Sequence, residues 1–358
     1  MGELPAQLVG EQSRIMKAAR FHQVGSPLSL QEIATPSPGP GQALVKVRAC
    51  GICGSDIHIV YEGVTPTAFT PITLGHEPAG QVAEVGPGVE DFQPGDRVAI
   101  CPFITCGHCR NCREGRPQIC LQRKCIGIQT DGALAEYVLA PTANLVPLPD
   151  QVPFEQGAII TDAVATPWHA LTVTGRLKAG ETVAVFGCGG LGIHGVKLAR
   201  LAGAALVIAV DVRGPSLERA QAAGADLVVN AAEEDAVQAI KKATGGGVDL
   251  AMELVGLNAS IAQAVDALRV GGRAVVAGLG AEPITVSPPV TFVRQEAALL
   301  GSYGFTVSET AELVGLVASG RLDIADSVSL TLPLDEVNQG LDRLHHKTGD
   351  PVRIVIMP

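Results

Sequence analysis

Between about residues 163 and 302, the sequence alternates short apolar, β-branched runs with segments of helical periodicity. The predicted strands are 181–186, 206–211, 226–230, 248–255 and 272–279. The predicted helices are 190–201, 215–224 and 259–269. Parallel strands need a long crossover connection, which a helix supplies. The pattern therefore predicts an α/β fold in which helices cover both faces of a doubly wound parallel sheet.

A glycine-rich turn joins the first of these strands to its helix. Gly187-Cys188-Gly189-Gly190-Leu191-Gly192 has the spacing G-x-G-x-x-G, and Asp211 ends the next strand 24 positions after Gly187. Such a turn offers a helix N-terminus to a pyrophosphate, and the acidic residue accepts the ribose hydroxyls and repels a 2′-phosphate. The motif predicts a binding site for NAD. Arg213 nearby works against that preference, and an ordinary glycine-rich turn is the alternative.

The first 160 residues have a different rhythm, in which short strands alternate with Gly and Pro turns. The predicted strands are 43–50, 79–85, 97–100 and 133–139. This spacing is typical of a β-barrel or sandwich. After residue 303 the βα alternation stops, and helices at 308–319 and 334–344 precede a last strand at 352–357. We expect this tail to return to the first domain, and residues 1–15 to form a loosely held extension.

Composition narrows the classes of function. The formal net charge is −10, and the apolar runs are of strand length. Nucleic acid and anionic membranes bind clustered positive charge, and a spanning helix needs about 18 apolar residues, so neither partner is expected. The first residues show neither a basic start nor an apolar h-region, which predicts a cytoplasmic protein whose cysteines stay reduced.

Four of the nine cysteines are closely spaced. Cys106, Cys109, Cys112 and Cys120 lie within fifteen residues, and this set predicts a closed, structural Zn²⁺ site with four thiolates. Three alternatives stay open. They are four free cysteines, an iron–sulfur cluster, and a nucleic-acid zinc module, which basic residues in and after the loop would favour.

A second set of motifs carries a family resemblance. Gly51-Ile52-Cys53-Gly54-Ser55-Asp56 and Gly75-His76-Glu77 precede the cysteine loop and the glycine turn. In this order the motifs closely resemble those of the zinc-dependent medium-chain alcohol dehydrogenase family. The resemblance implies a GroES-like β-barrel catalytic domain at 1–163, with a structural zinc lobe at 101–125. It further implies a Rossmann domain at 164–302 and a return to the catalytic domain at 303–358.

The resemblance also assigns a catalytic zinc site. Cys53 and His76 match zinc ligands, and Asp162 stands where many relatives have a cysteine. A carboxylate supplies the same charge as a thiolate but is a harder ligand, so the zinc is expected to be more Lewis acidic. The alternative is that Asp162 caps the helix that follows.

Four further residues match the family's reaction machinery. Glu77 matches a carboxylate beside the metal, and Asp56 matches the residue that accepts the second N–H of the ligand histidine. Ser55 and His58 match a relay that takes the alcohol proton to solvent. The resemblance implies an alkoxide that gives its hydride to NAD⁺. The alternatives are surface charges for the two acids, a half-exposed strand histidine for His58, and a redox pair of Cys50 with Cys53.

At the nicotinamide end, Thr166 and Leu191 match positions that pack on the ring, and Arg353 matches an arginine that contacts pyrophosphate or ribose. The apolar run 163–165 and Trp168 favour a hydrophobic secondary or cyclic alcohol or ketone. A polyol or sugar dehydrogenase is the competing enzyme, and a non-catalytic nucleotide-binding structural protein is the alternative of another class. Two zinc ions per chain, small-molecule partners and a homodimer or homotetramer are expected.

Overall fold

The computed structural model of the protein describes residues 14–358. Of the expected N-terminal extension, residues 1–13 therefore lie outside the described residues, and the first strand begins at Ile15. The strands are β1 (Ile15–Phe21), β2 (Ser29–Ala34), β3 (Gln42–Ile52), β4 (Ile72–Thr73), β5 (Glu77–Val85), β6 (Arg97–Ile100), β7 (Phe103–Ile104), β8 (Lys124–Cys125), β9 (Tyr137–Pro141), β10 (Leu145–Pro147), β11 (Thr182–Phe186), β12 (Leu206–Asp211), β13 (Leu227–Asn230), β14 (Val248–Glu253), β15 (Leu268–Val276), β16 (Ala298–Gly301), β17 (Val328–Pro333) and β18 (Arg353–Met357).

The α-helices are α1 (Gly54–Ile57), α2 (Arg110–Arg113), α3 (Phe154–Ile159), α4 (Ala165–His169), α5 (Gly192–Leu201), α6 (Gly214–Ala222), α7 (Ala236–Thr244), α8 (Asn258–Asp266), α9 (Pro289–Arg294), α10 (Val307–Ala318) and α11 (Val337–His345). Wider π-helical turns continue three of them, at His58–Glu62, Ile160–Val164 and Ala170–Thr174.

The six strands from β11 to β16 form one parallel sheet. Their order is β13-β12-β11-β14-β15-β16, so the chain starts in the middle, runs to one edge, and then returns to the middle before running to the other edge. This is the doubly wound order, and it confirms the predicted fold class. Ligands of such sheets bind where the order reverses, which here lies between the carboxyl ends of β11 and β14.

A seven-stranded sheet takes its strands from both ends of the chain. Its path is β10-β6-β5-β3-β18-β17, and β9 also pairs with β3. β3 pairs antiparallel with β5 on one side and with β18 on the other. The tail therefore does add strands to the sheet formed by the first part of the chain. This pairing brings residues near 52, 77 and 353 together.

Most predicted elements are present, and the differences have local causes. The long helical stretch from α3 through Thr174 was not predicted, because its buried residues are apolar on several sides and show no single helical face. α7 was also missed, although Asp235 accepts hydrogen bonds from Val237 and Gln238 as its N-cap.

Three large apolar clusters hold the molecule together. One fills the space under the seven-stranded sheet, one lies on a face of the parallel sheet, and one joins the two sheets through the stretch from α3 to Leu171. Among residues 14–358, no helix combines the length and the apolar character needed to cross a membrane.

Candidate active site

Three strand ends meet at the bottom of a cleft between the two sheets. Cys53 follows β3, His76 and Glu77 lie at the start of β5, and Arg353 begins β18. The cleft has a volume of about 560 Å³ and runs from Cys53 to the glycine turn and beyond it to Asp211. Residues far apart in the sequence therefore line one continuous space.

Four potential metal ligands converge at this point. The ligand atoms of Cys53, His76, Glu77 and Asp162 lie within 4.8 Å of one another. The Cys53 Sγ and His76 Nε2 atoms are 3.1 Å apart. Zinc bonds to sulfur, nitrogen and oxygen are about 2.0–2.3 Å long, so one ion can bridge this span. The donor set of one thiolate, one imidazole and carboxylates fits Zn²⁺.

The charges of the cluster also fit a divalent cation. Burial raises the pKa of the Cys53 thiol to about 12, with a further contribution from Asp162 and Asp56. Burial likewise raises the pKa of Asp56, and it raises the pKa of Glu77 well above its usual range, although Arg353 partly opposes that shift. The raised pKa values favour the protonated forms of these buried groups. A bound cation would favour their ionised forms and so fits the site.

Arg353 is buried among these acids. Its Nη1 atom donates to Glu77 Oε1 at 3.1 Å, and its Nη2 atom lies 3.7 Å from Asp162 Oδ2. The side chain is only 2% exposed. Arg353 was expected at the pyrophosphate or the nearby ribose. The structure pairs it with the metal cluster, and its Nε atom also lies against Gly190 of the glycine turn.

Asp162 reaches the cluster from a π-helical turn. One of its carboxylate oxygens accepts a hydrogen bond from the Thr166 hydroxyl at 2.8 Å. Val164 occupies the N-cap position of α4, so the alternative in which Asp162 caps that helix is wrong.

Asp56 was expected to accept the second N–H of His76, but its hydrogen bond in the structure is to the backbone of Cys53. It is the N3 residue of the capping box of α1, where Cys53 is the N-cap and its backbone N–H donates to Asp56 Oδ2 at 3.0 Å. Its Oδ1 atom lies 3.8 Å from His76 Nδ1, which is too long for a hydrogen bond. Within the described chain both of these buried atoms lack a partner. Asp56 faces the ligand histidine as expected but does not hold it through a hydrogen bond here.

Ser55 and His58 lie at the mouth of the cleft. The Ser55 backbone N–H donates to Cys53 Sγ at 3.4 Å. His58 lies in a helical turn rather than a strand, with its side chain 25% exposed and its Nδ1 atom 2.6 Å from Glu62 Oε2. The carboxylate orients the ring and was not noticed in the sequence, although the i, i+4 spacing was available.

The four-cysteine loop has the geometry of a tetrahedral site. The Cys109–Cys112 and Cys106–Cys120 sulfur pairs are 3.5 Å apart, and the Cys109–Cys120 pair is 3.8 Å apart. With Zn–S bonds of about 2.3 Å, the edges of the tetrahedron would be about 3.8 Å long. Backbone N–H groups of Cys112 and Leu121 lower the pKa of the Cys109 thiol to about 6, which favours the thiolate that a metal needs.

The glycine turn has an open centre and tight flanks. Gly187 has φ of +88°, and a Cβ atom on Gly192 would lie 1.7 Å from the Gly187 carbonyl oxygen. At Gly189, by contrast, no atom of the described chain lies within 4 Å of where a Cβ atom would be. A side chain there would fill the space in front of the turn. The backbone thus forms the cradle that a pyrophosphate requires.

Asp211 and Arg213 lie at the far end of the cleft. The Asp211 carboxylate accepts the backbone N–H groups of Cys188, at 2.7 Å, and of Arg213, at 3.0 Å. It is therefore anchored to the glycine turn. Thr166 and Leu191 also line the cleft, as predicted for groups near the nicotinamide.

The prediction of a hydrophobic substrate rested on residues 163–165 and Trp168, and none of these lines the cleft. Ala163, Val164 and Ala165 are fully buried core residues, and the Trp168 indole N–H donates to Glu312 away from the cleft. The apolar wall beside the metal cluster consists instead of Ile57, Phe103, Cys125, Ile128 and Tyr303. Sequence reasoning missed most of this wall because the residues come from separate loops.

Two family models match most of the chain. The model of the alcohol dehydrogenase GroES-like domain matches residues 39–150, and the model of the zinc-binding dehydrogenase matches residues 190–319. The chain belongs to the zinc-dependent medium-chain dehydrogenase family, which confirms the resemblance seen in the sequence.

Individual relatives agree over nearly the whole length. An alcohol dehydrogenase of Geobacillus stearothermophilus is 37% identical over 92% of this chain and 96% of its own. An L-threonine 3-dehydrogenase of Symbiobacterium thermophilum is 32% identical over 96% of this chain and 98% of its own. The crystal structure of a zinc-binding dehydrogenase from Sinorhizobium meliloti 1021 bound to NADP has a TM-score of 0.89 at 34% identity, and the match covers 96% of this chain and all of that one.

Family membership makes this chain an oxidoreductase of alcohols. The family, the two ligand clusters and the glycine turn also confirm the predicted cofactors, zinc and a nicotinamide dinucleotide. The closely placed sulfurs of the cysteine loop fit a bound zinc ion and count against four free cysteines.

Proposed function

We propose that this protein is an NAD-dependent alcohol dehydrogenase that acts on fairly hydrophobic secondary or cyclic alcohols and the corresponding ketones. The proposal rests on a single cleft. The Cys53–His76–Asp162 cluster, the Gly187–Gly192 turn and an apolar wall all line it. When bound, zinc makes an alcohol hydroxyl more acidic, and NAD⁺ accepts a hydride. The residues described below hold, orient and deprotonate the substrate.

The proton path uses Ser55 and His58. Ser55 follows the ligand Cys53 by two residues and lines the cleft, so its hydroxyl is available to accept the alcohol proton. His58 is partly exposed and is oriented by Glu62, which suits a group that passes a proton to solvent. Glu77 pairs with Arg353 and Asp56 faces His76, so both carboxylates contribute to the charge of the cluster.

The choice of NAD over NADP rests on Asp211. Its carboxylate is fixed by two backbone N–H groups at the end of β12, where the adenosine ribose of a dinucleotide would lie. A fixed negative charge at this point repels a 2′-phosphate. Arg213, which opposed this choice in the sequence, is paired with Asp350.

The apolar wall supports a hydrophobic alcohol over a polyol. Phe103, Ile128 and Tyr303 are the large side chains beside the metal cluster, and Phe103 packs against both Tyr303 and Phe305. A polyol would need several hydrogen-bonding groups in their place to replace the water it loses on binding. The wall offers it few such groups.

One experiment tests the function and its alternatives together. The purified chain, with its zinc content measured, is mixed with NAD⁺ or NADP⁺ and with cyclohexanol, 2-butanol, sorbitol or L-threonine. Formation of reduced cofactor is followed by absorbance. We expect the highest kcat/KM with NAD⁺ and cyclohexanol. A higher value with sorbitol or L-threonine would refute the substrate class, and no turnover with any of the four compounds would favour the non-catalytic alternative.

Three wider expectations accompany this proposal. The domain limits of 1–163 with 303–358, and of 164–302, are supported by the membership of the strands in the two large sheets. A homodimer or homotetramer and a cytoplasmic location remain proposals. Size-exclusion chromatography with light scattering tests the first of these, and fractionation of the source cells tests the second.

A further inference from the structure

The loop between α11 and β18 brings an acid to the nucleotide end of the cleft. Asp350 lies in this loop, and its side chain is 19% exposed. Its Oδ1 atom is 2.5 Å from Arg213 Nη2, and its Oδ2 atom pairs with Arg219 Nη1. Arg213 follows β12, and Arg219 lies in α6 of the parallel-sheet part. One carboxylate from the C-terminal tail therefore binds two cations of the other part of the chain.

These cations are placed where a phosphate on the ribose would lie. Arg213, Arg219 and Lys347 all line the cleft close to Asp211. Burial opposes ionisation of Asp350, but the hydrogen bond from Arg219 and the charges of Arg219, Arg213 and Lys347 hold the pKa of its carboxyl below the usual value. Asp350 is thus ionised at neutral pH. Together with Asp211 it offsets most of the positive charge of Arg213, Arg219 and Lys347.

We propose that Asp350 is a specificity-determining residue that excludes NADP, because it occupies the two arginines that would otherwise bind a 2′-phosphate. The proposal rests on the proposed use of NAD. Asp211 acts only by repelling the 2′-phosphate, and Asp350 adds a second effect by occupying the cations that could bind it. Asp350 belongs to the C-terminal tail, outside the nucleotide-binding part of the chain, which is unusual for a residue that selects the cofactor.

The physical reason is competition for the same hydrogen-bond donors. A 2′-phosphate has a charge of about −1.5 to −2 at neutral pH and needs guanidinium partners to offset the water it gives up. Those partners already donate to Asp350, so the phosphate would have to displace a carboxylate that is held by both. Replacing the carboxylate with an amide of the same shape removes the negative charge and one of the two acceptor oxygens, so it weakens the hold on the arginines without opening a cavity.

The test compares Asp350→Asn with a matched control. Asp326→Asn removes another ion pair between the tail and the parallel-sheet part, in which Lys197 Nζ lies 2.5 Å from Asp326 Oδ1, away from the cleft. The dissociation constants of NADH and NADPH are measured by fluorescence titration of each protein. We expect the ratio of the NADPH to the NADH constant to fall by about tenfold in Asp350→Asn, the order expected for one unit charge at contact distance when water screens the pair. The ratio should be unchanged in Asp326→Asn.

Two further variants complete the design. Asp350→Glu keeps the charge and should keep the wild-type ratio, and adding Arg213→Gln to Asp350→Asn should abolish the gain in NADPH binding. An equal change in both constants for Asp350→Asn would mean that Asp350 only joins the two parts of the chain, and it would overturn the inference. Wild-type protein that binds NADPH more tightly than NADH would instead refute the proposed use of NAD, so the two failures are distinguishable.

Discussion

His194 provides a quantitative test of the packing behind the glycine turn. It lies in the first turn of α5 and is completely buried. Its Nδ1 atom lies 2.8 Å from the Gly190 carbonyl oxygen, and because a carbonyl only accepts, Nδ1 must carry the proton. The Nε2 atom is buried and lacks a partner in the described part of the chain. Burial and the nearby charge of Arg353 lower the pKa of His194 to about 3.

The sign of the effect on stability follows from the two states. The unfolded chain binds this proton with a pKa of about 6.5, and the folded protein does not bind it until about pH 3. Between these values the unfolded state holds more protons, so stability falls as the pH is lowered below about 6.5. At 1.36 kcal/mol for each pKa unit, His194 alone should destabilise the fold by about 2 kcal/mol between pH 7.5 and pH 5.

The variant His194→Asn keeps a donor for the Gly190 carbonyl and removes the titrating ring. Urea unfolding of wild type and variant at pH 7.5 and pH 5.0 gives four free energies. All other titrating groups are common to the two proteins, so the wild type should lose about 2 kcal/mol more than the variant over this interval. His22→Asn, at an exposed position, controls for the loss of a histidine. Equal losses in wild type and His194→Asn would refute the reasoning.

Three other predictions concern the turn and the two metal clusters. Gly192→Ala places a Cβ atom against the Gly187 carbonyl and should lower the free energy of unfolding by about 3 kcal/mol, whereas Gly189→Ala should fold normally and weaken NADH binding; equal stability of the two variants in urea would contradict this. Asp162→Ala should reduce zinc from two ions to one per chain by elemental analysis, and two retained ions with normal turnover would show that Asp162 is not a ligand. Cys120→Ser should also lose one zinc and make residues 101–125 sensitive to trypsin, and an unchanged digestion pattern would contradict a structural role for that metal.

The parts of the site that the sequence could predict are those encoded by short stretches of chain. The glycine turn occupies six residues, and the cysteine loop fifteen, so spacing alone conveys their geometry. Cys53 and His76 could be assigned only through the family resemblance. They lie 23 residues apart on different loops, and no local pattern shows that they meet.

Other parts depend on the order of strands in the sheets. Asp350 reaches Arg213 and Arg219 only because the tail adds β18 beside β3 and sends its loop across the cleft. The apolar wall is missed for the same reason, since Phe103, Ile128 and Tyr303 come from three separate segments. The available signal for Asp350 was its position three residues before Arg353, which had already been placed near the dinucleotide.

Arg353 shows why the metal cluster and the nucleotide turn cannot be treated as separate sites. Its Nη1 atom is held by Glu77, 276 residues away in sequence, because β3 lies between β5 and β18 and aligns the ends of all three strands. Its Nε and Nη2 atoms have no hydrogen-bond partner among the described residues, and Nε lies beside Gly190. The Nη2 atom faces Asp162 at 3.7 Å, whereas the buried Nε atom is left to donate toward an anion at the turn. The same cation thus balances the acids around the metal and borders the glycine turn, so we expect the charge of the metal cluster to influence the affinity for a dinucleotide.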